Sequence, residues 1–274
     1  MATSVRVSID GPVALLTLAA PEKENRLDPG MLEELAAGIS RILSLPEIRV
    51  AILRADGEVF CNGMDLGAAT SGDAADAHTA AARRAIEAYS NILRQLSDSR
   101  IPFIAAVNAP VRAGGVGLVA ACDIVIAAEG ATFELSEVRF GLIPANVLPY
   151  LLGWRLSPQR TRYLVLTARK LTGTEAASYG LADEYVQSAD DLERAVRASV
   201  KGLLRSSPDA LGLAKRYTAE WAEVSRKQAM GAAVTVLEGL VTDPKTRASI
   251  AAFGQGELPP WFVSYKPSVP LSKE

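Results

Sequence analysis

Short apolar runs alternate with stretches of helical spacing through the first two-thirds of the chain, and this alternation constrains the fold more than any other feature. Val5–Ile9 and Val13–Leu18 flank Asp10-Gly11-Pro12, which is a β-hairpin signal. Asp28 and Pro29 read as the N-cap and first residue of a helix. In that helix Met31, Leu32, Leu35, Ile39, Ile42 and Leu43 recur at helical spacing and form one core-facing stripe. Arg49–Arg54 is a short buried strand, residues 74–98 a long helix, and Ile101–Val107 and Asp123–Ala128 two further apolar strands. A helix start, GLVAAC, lies between those last two. Helical segments are expected near 136–141, 145–153, 157–168, 174–180 and 190–205. From Pro208 to about Phe253 the pattern is all helical, with Leu211, Ala214, Tyr217 and Trp221 on one face. The proline-rich tail reads as extended. Alternating strands and helices with a helical end define an α/β fold.

Composition narrows the chemistry. With 274 residues, 49% of them hydrophobic, the chain can bury a full core. A net charge of -2 and the lack of a long basic run argue against a nucleic-acid partner. No run of 18 apolar residues exists, so no membrane span is expected. The opening residues lack the layout of a signal peptide and read directly as a strand. The two cysteines, Cys61 and Cys122, do not make a disulfide framework, and a reducing cytoplasm fits them. The single histidine, His78, sits in an Ala-rich run and reads as a solvent-facing helix residue. There is no metal-ligand spacing and no nucleophile elbow. Acid–base work therefore falls to a carboxylate, and charge stabilisation to the backbone.

Gly115 to Ala120 matches GxGxxA, the dinucleotide fingerprint, but Asn108–Ala113 separate it from the preceding strand and it lies mid-chain. It reads better as a glycine-rich helix start that something approaches closely. The unpaired amides of a first helical turn suit a phosphate or an oxyanion.

Three ordered segments carry a family resemblance: FCNGMDL (60–66), IAAVNAPVRAGGVGLVAACDIVIA (104–127) and FELSEVRFGLIP (133–144). They resemble the crotonase, or enoyl-CoA hydratase/isomerase, superfamily. The resemblance implies a ClpP/crotonase-like spiral of ββα units over residues 1–205. It implies a helical C-terminal trimerisation region and tail over 206–274, and hence a homotrimer or hexamer. It also implies an acyl thioester substrate, carried on coenzyme A or on the phosphopantetheine of an acyl carrier protein, with no other cofactor. Two backbone amides, by position those of Met64 and Gly114, would form the hole that holds the enolate oxygen. Family hydratases use two glutamates. The first position falls on Gly117 and is missing; the second falls on Glu137 and is present. Taken by itself, Glu137 reads equally as a glutamate favoured at a helix N-terminus after Ser136. One glutamate can still remove the proton α to the thioester and return it to a leaving hydroxyl, or shuttle it between two carbons.

Gly117, the stretch SEVRFGLIPANVLPYLL and the ending FGQGELPPW together resemble the dehydratase subgroup of polyketide β-branching cassettes. Its members remove water from 3-hydroxy-3-methylglutaryl-acyl carrier protein to give the 3-methylglutaconyl thioester. Such a substrate carries a distal carboxylate that wants a cation. Arg83, Arg84 and Arg139 are the candidates, although each also reads as a solvated surface charge. Tyr89 and Asn146 are candidate pocket residues, with core or capping roles as the alternative. Lys23–Arg26, including Asn25 and Arg26, are expected near the entrance of the thioester tunnel. Asn62 and Asp65 flank Met64, and their plainer reading is as caps of its turn. Asn108 and Asp123 read as structural and Phe60 as core. The rival readings are an enoyl-CoA hydratase or Δ3,Δ2-enoyl-CoA isomerase, a decarboxylase on the same scaffold, and a non-catalytic acyl-binding subunit.

Overall fold

The opening hairpin forms as its sequence dictates. Strands β1 (Val5–Asp10) and β2 (Val13–Leu18) pair antiparallel across Gly11-Pro12, and Gly11 has φ +56. A left-handed first turn residue matches the twist of the two strands, and glycine adopts it without a β-carbon penalty. The computed structural model describes residues 3–65 and 75–258. The proline-rich tail expected after Leu258 and the side chain of His78 lie outside the described residues.

From β2 onward the sheet is parallel. Strand β3 (Val50–Ala55) pairs with β2, β4 (Phe103–Val107) with β3, β6 (Ile124–Ala128) with β4, and β9 (Glu184–Val186) with β6. The order of this six-stranded sheet is β1-β2-β3-β4-β6-β9. A second sheet joins β5 (Val111–Arg112), β7 (Thr132–Glu134) and β8 (Leu171–Thr172). These strands and β9 were not expected, because two or three residues are too few to display a period.

Both faces of the large sheet are covered, as a parallel sheet requires. In β3, Ala51 and Leu53 join the main core, while Val50 and Ile52 face the second cluster with Leu192, Ala195 and Val196. That second layer is helix α7 (Ala189–Arg205). The main core lies against helices α1 (Pro29–Ser44), α2 (Ala75–Ser97) and α3 (Gly114–Ala120). Helix α1 starts where expected: the Asp28 carboxylate accepts from the Met31 amide at 2.8 Å.

The later helices depart from the expectation in three places. Residues Glu137–Phe140 form a single 3-10 turn. The segment expected as one helix over 145–153 is a short α4 (Leu148–Tyr150) that widens into a π-helical turn, Leu151–Arg155. Helices α5 (Pro158–Thr167) and α6 (Gly173–Tyr179) follow. The C-terminal run is then two helices, α8 (Pro208–Thr242) and α9 (Pro244–Gly254). Pro244 disfavours a helical conformation in the residue before it, and Asp243 is extended at φ -64, ψ 128. Its side chain then caps the next helix through the Thr246 amide, at 2.9 Å. Among the described residues no helix is long and apolar enough to cross a membrane, and none of their acidic, Cys or His side chains cluster as a metal site.

Candidate active site

Two backbone amides set the geometry. Leu27 donates to the Gly63 carbonyl at 2.9 Å, and the Asp65 amide donates back to the Leu27 carbonyl at 3.3 Å. In such a parallel bridge the intervening Met64 amide points away from Leu27. It finds no acceptor among the described residues. The Gly114 amide likewise has no acceptor among the described residues, because it is the first of α3 and first-turn amides have no intrahelical partner.

The two segments are held against each other by absent side chains. A β-carbon on Gly63, whose φ is +81, would stand 2.8 Å from the Ala113 β-carbon and 3.1 Å from the Gly114 nitrogen. One on Gly115 would stand 2.8 Å from both the β-carbon and the carbonyl oxygen of Cys61. Ala113 itself holds φ +47, ψ -122, a strained conformation for a residue with a β-carbon. Its amide is fixed by the Glu134 carbonyl at 2.8 Å, and the Arg112 amide by the Cys61 carbonyl at 2.9 Å. The small sheet thus holds the backbone that presents Gly114.

Glu137 opens the 3-10 turn and lines the same pocket as Met64 and Gly114. Its Oε2 is buried without a hydrogen-bond partner among the described residues. Burial pushes its carboxyl up to about 7, the neighbouring Glu134 adds to the shift, and a bond from its own backbone amide opposes it.

The pocket, a cavity of about 90 Å³, is otherwise apolar, with walls that include Ile86, Leu142, Ile143, Val147, Leu237 and Val241. Among the described residues, Tyr89 and Asn146 are its two other polar side chains. Tyr89 comes from α2, is buried, and donates its hydroxyl proton to the Gly114 carbonyl oxygen. Burial, with smaller effects from Cys61 and Glu137, holds its phenol well above the ordinary value, so it stays protonated. Asn146 donates to the Ile86 carbonyl at 3.3 Å, and its Oδ1 is buried without a partner among the described residues.

Several expected substrate contacts lie elsewhere. Asn25 is fully buried and saturated: its Oδ1 accepts from Ala20 at 2.9 Å, and its Nδ2 donates to the carbonyls of Asp56 and Val59 at 2.9 and 2.8 Å. Asn62 bridges Glu24 at 2.6 Å and Arg112 at 3.0 Å, which fixes the turn before Met64. Asp65 contributes its amide to the Leu27 bridge and does not line the pocket. Arg26 is exposed and pairs with Glu24. Arg84 is exposed and does not line the pocket. Arg83 pairs with Glu87, and Arg139 is held by Glu134 at 2.5 Å and the Ala168 carbonyl at 2.8 Å. Among the described residues, no arginine or lysine lines the pocket. One physical cause is common to these positions: each polar group is either paired with a near neighbour or left in water.

The apolar walls were not foreseen. Ile86 lies one helical turn before Tyr89, and Leu237 and Val241 share a face of α8, so helical spacing from a known pocket residue could have found the first of them.

The sequence profile of the enoyl-CoA hydratase/isomerase family matches residues 8–262. The chain belongs to that family. It is an enzyme of the hydratase/dehydratase type. It is 32% identical to the carnitinyl-CoA dehydratase of Proteus mirabilis over 226 residues, covering 82% of this chain and 84% of that one. It is 28% identical to the bacillaene synthase dehydratase PksH of Bacillus subtilis over 259 residues, 94% of this chain and 96% of the relative. An enoyl-CoA hydratase structure from Mycobacterium avium superposes with a TM-score of 0.82 at 30% identity, covering 96% of this chain and 100% of the other. The structure of PksH from Bacillus subtilis superposes with a TM-score of 0.81 at 26% identity, over 93% and 99%. The crotonase fold expected from the three sequence segments is thus the fold observed.

Proposed function

We propose that the protein removes water from a 3-hydroxyacyl thioester, with 3-hydroxy-3-methylglutaryl-acyl carrier protein as substrate and the 3-methylglutaconyl thioester as product. One observation carries the dehydration: among the described residues a single buried carboxylate, Glu137, shares an apolar pocket with two amides that have no acceptor there.

In this reading the thioester oxygen lies between the Met64 and Gly114 amides. Glu137, as carboxylate, takes a proton from the α-carbon, and the electron pair moves onto the thioester oxygen as an enolate. Two fixed donors stabilise that charge, each worth about 3–4 kcal/mol of barrier. The enolate then re-forms the carbonyl and a double bond between the α- and β-carbons, and the C–O bond to the β-hydroxyl breaks. Glu137 gives its proton to the departing oxygen, water leaves, and the carboxylate is regenerated. A group poised at about 7 serves as base first and acid second. The acyl chain rides on phosphopantetheine, with no further cofactor, in a cytoplasmic trimer or pair of trimers.

Dehydration in polyketide biosynthesis is supported by the similarity to the bacillaene synthase dehydratase PksH along nearly the whole chain, and the branched, carrier-bound substrate is what the subgroup resemblance of the sequence implies. A second reading, a hydratase or Δ3,Δ2-isomerase acting on an enoyl-CoA, is favoured by the lack of a described cation in the pocket. Incubation with 3-hydroxy-3-methylglutaryl-carrier protein and, separately, with C4–C10 enoyl-CoAs, followed by mass spectrometry, separates the two. Loss of 18 Da from the carrier-bound acid is expected; turnover of the simple enoyl-CoAs alone would sink the proposal.

A further inference from the structure

Position 117, where the family resemblance places the first of two glutamates, is not empty space here. A β-carbon built on Gly117 would overlap the Tyr89 hydroxyl and stand 3.0 Å from Val147 Cγ2. The same hydroxyl donates to the Gly114 carbonyl, and the Tyr89 Cζ would lie 3.5 Å from a β-carbon on Gly114. Helix α3 starts with Gly114 and Gly115, and its N-cap, Ala113, contributes no side-chain hydrogen bond. Two glycines without a side-chain cap leave a first turn with little local restraint. The described side chain bonded to that turn is Tyr89, from a helix packed across it.

We propose that Tyr89 is a positioning and specificity-determining residue: its phenol clamps the first turn of α3, so fixing the Gly114 amide, and occupies the volume that a second carboxylate and its water would need. This rests on the reading of Met64 and Gly114 as an oxyanion hole, but not on the identity of the acyl chain. The phenol proton is committed to the Gly114 carbonyl, so Tyr89 acts through the backbone rather than on the reacting atoms. Tyr89 and Gly117 are therefore a coupled pair. Any side chain at 117 demands a smaller residue at 89, and removal of the hydroxyl alone loosens the amide while keeping the ring.

The test separates this clamp from the dehydration itself. Exchange of the α-protons of butyryl-CoA for deuterium, followed by mass spectrometry in heavy water, needs the oxyanion hole and Glu137 but no leaving group. Tyr89→Phe is expected to lower the exchange rate constant at least tenfold with the apparent KM within twofold, and to leave the midpoint of the pH profile in place. Gly117→Ala is expected to lose at least tenfold as well. The double variant, Gly117→Ala with Tyr89→Phe, is expected to exchange faster than Gly117→Ala alone, because the overlap with the hydroxyl is gone. Thermal unfolding of each variant distinguishes a lost clamp from a lost fold. Exchange by Tyr89→Phe at the wild-type rate, or additive losses in the double variant, overturns the proposal. If no 3-hydroxyacyl thioester loses water but the exchange pattern holds, the clamp stands and the dehydratase reading falls.

Discussion

Lys215 of α8 reaches into the core and closes on Asp123, its Nζ 2.7 Å from the carboxylate Oδ2. The same nitrogen donates to the Leu96 and Ile101 carbonyls at 3.1 and 3.0 Å and to Ser99 Oγ at 2.8 Å. Asp123 in turn accepts from the Phe103 amide at 2.7 Å, which ties it to the start of β4. This cluster pins the C-terminal helix to the sheet, and the far end of that helix supplies Leu237 and Val241 to the pocket. Asp123 is structural, as its sequence context indicated.

Removing one partner of a buried, hydrogen-bonded ion pair leaves the other uncompensated, at a cost of about 3–5 kcal/mol. Lys215→Met is therefore expected to lower the unfolding free energy by that order. Denaturant unfolding of Lys215→Met and of the double variant Lys215→Met with Asp123→Asn measures it, and the double variant should be less destabilised than the sum of the two single ones.

Glu137→Gln keeps the shape of the side chain but removes the proton carrier. A positioned acid–base group contributes roughly 10²–10⁴-fold, so dehydration should fall by about that factor while substrate binding is retained. In the wild type, kcat/KM should rise with pH through a midpoint near 7, because the free enzyme starts the reaction with Glu137 ionised. A flat profile between pH 5 and 9 would remove Glu137 from that role.

The raised affinity of Glu137 for its proton also affects stability. Its carboxyl rises from 4.5 to about 7 on folding, so below 4.5 it is protonated in both states and costs nothing. Between 4.5 and 7 the unfolded chain releases the proton while the folded protein holds it, and stability falls through that window. The loss reaches about 3 kcal/mol above 7, since each tenfold change in proton affinity is worth about 1.4 kcal/mol. Glu137→Gln is expected to be more stable than the wild type at pH 8, and nearly equal to it at pH 4. Chemical unfolding at the two pH values checks the sign.

Gly63→Ala places a methyl group 2.8 Å from the Ala113 β-carbon in a backbone held at φ +81. The conformational penalty alone is about 1–3 kcal/mol, and the overlap separates Met64 from Gly114. Unfolding and steady-state kinetics on this variant should show both a lower midpoint and a fall in kcat. Retained activity would mean that the two amides do not act together.

Asn25→Ala removes three buried hydrogen bonds without touching the pocket. Each unsatisfied backbone group costs about 1–3 kcal/mol, so destabilisation is expected with little change in KM at a temperature where the variant stays folded. A KM effect without a stability effect would return Asn25 to the substrate.

Much of this protein was written locally in its sequence. The hairpin around Gly11, the Asp28 cap and the glycine-rich start of α3 all depend on backbone sterics or on periods within a few residues, whereas Glu137 stood out only through the family resemblance. Composition turned the expectation away from histidine and metal chemistry, and the three ordered segments carried the family. What the sequence alone left undecided are pairings over long separations. Tyr89 meets Gly114 across 25 positions, and Lys215 meets Asp123 across 92. Asn25 looks like a site residue until packing commits its amide to neighbours, Asn62 is committed to the turn as its plainer reading had it, and the arginines stay outside the pocket, paired with neighbours or left in water. A side chain's partner is set by which elements the fold brings together, and no local period records that. Only the tertiary structure shows that the space beside Gly117 is filled by a phenol.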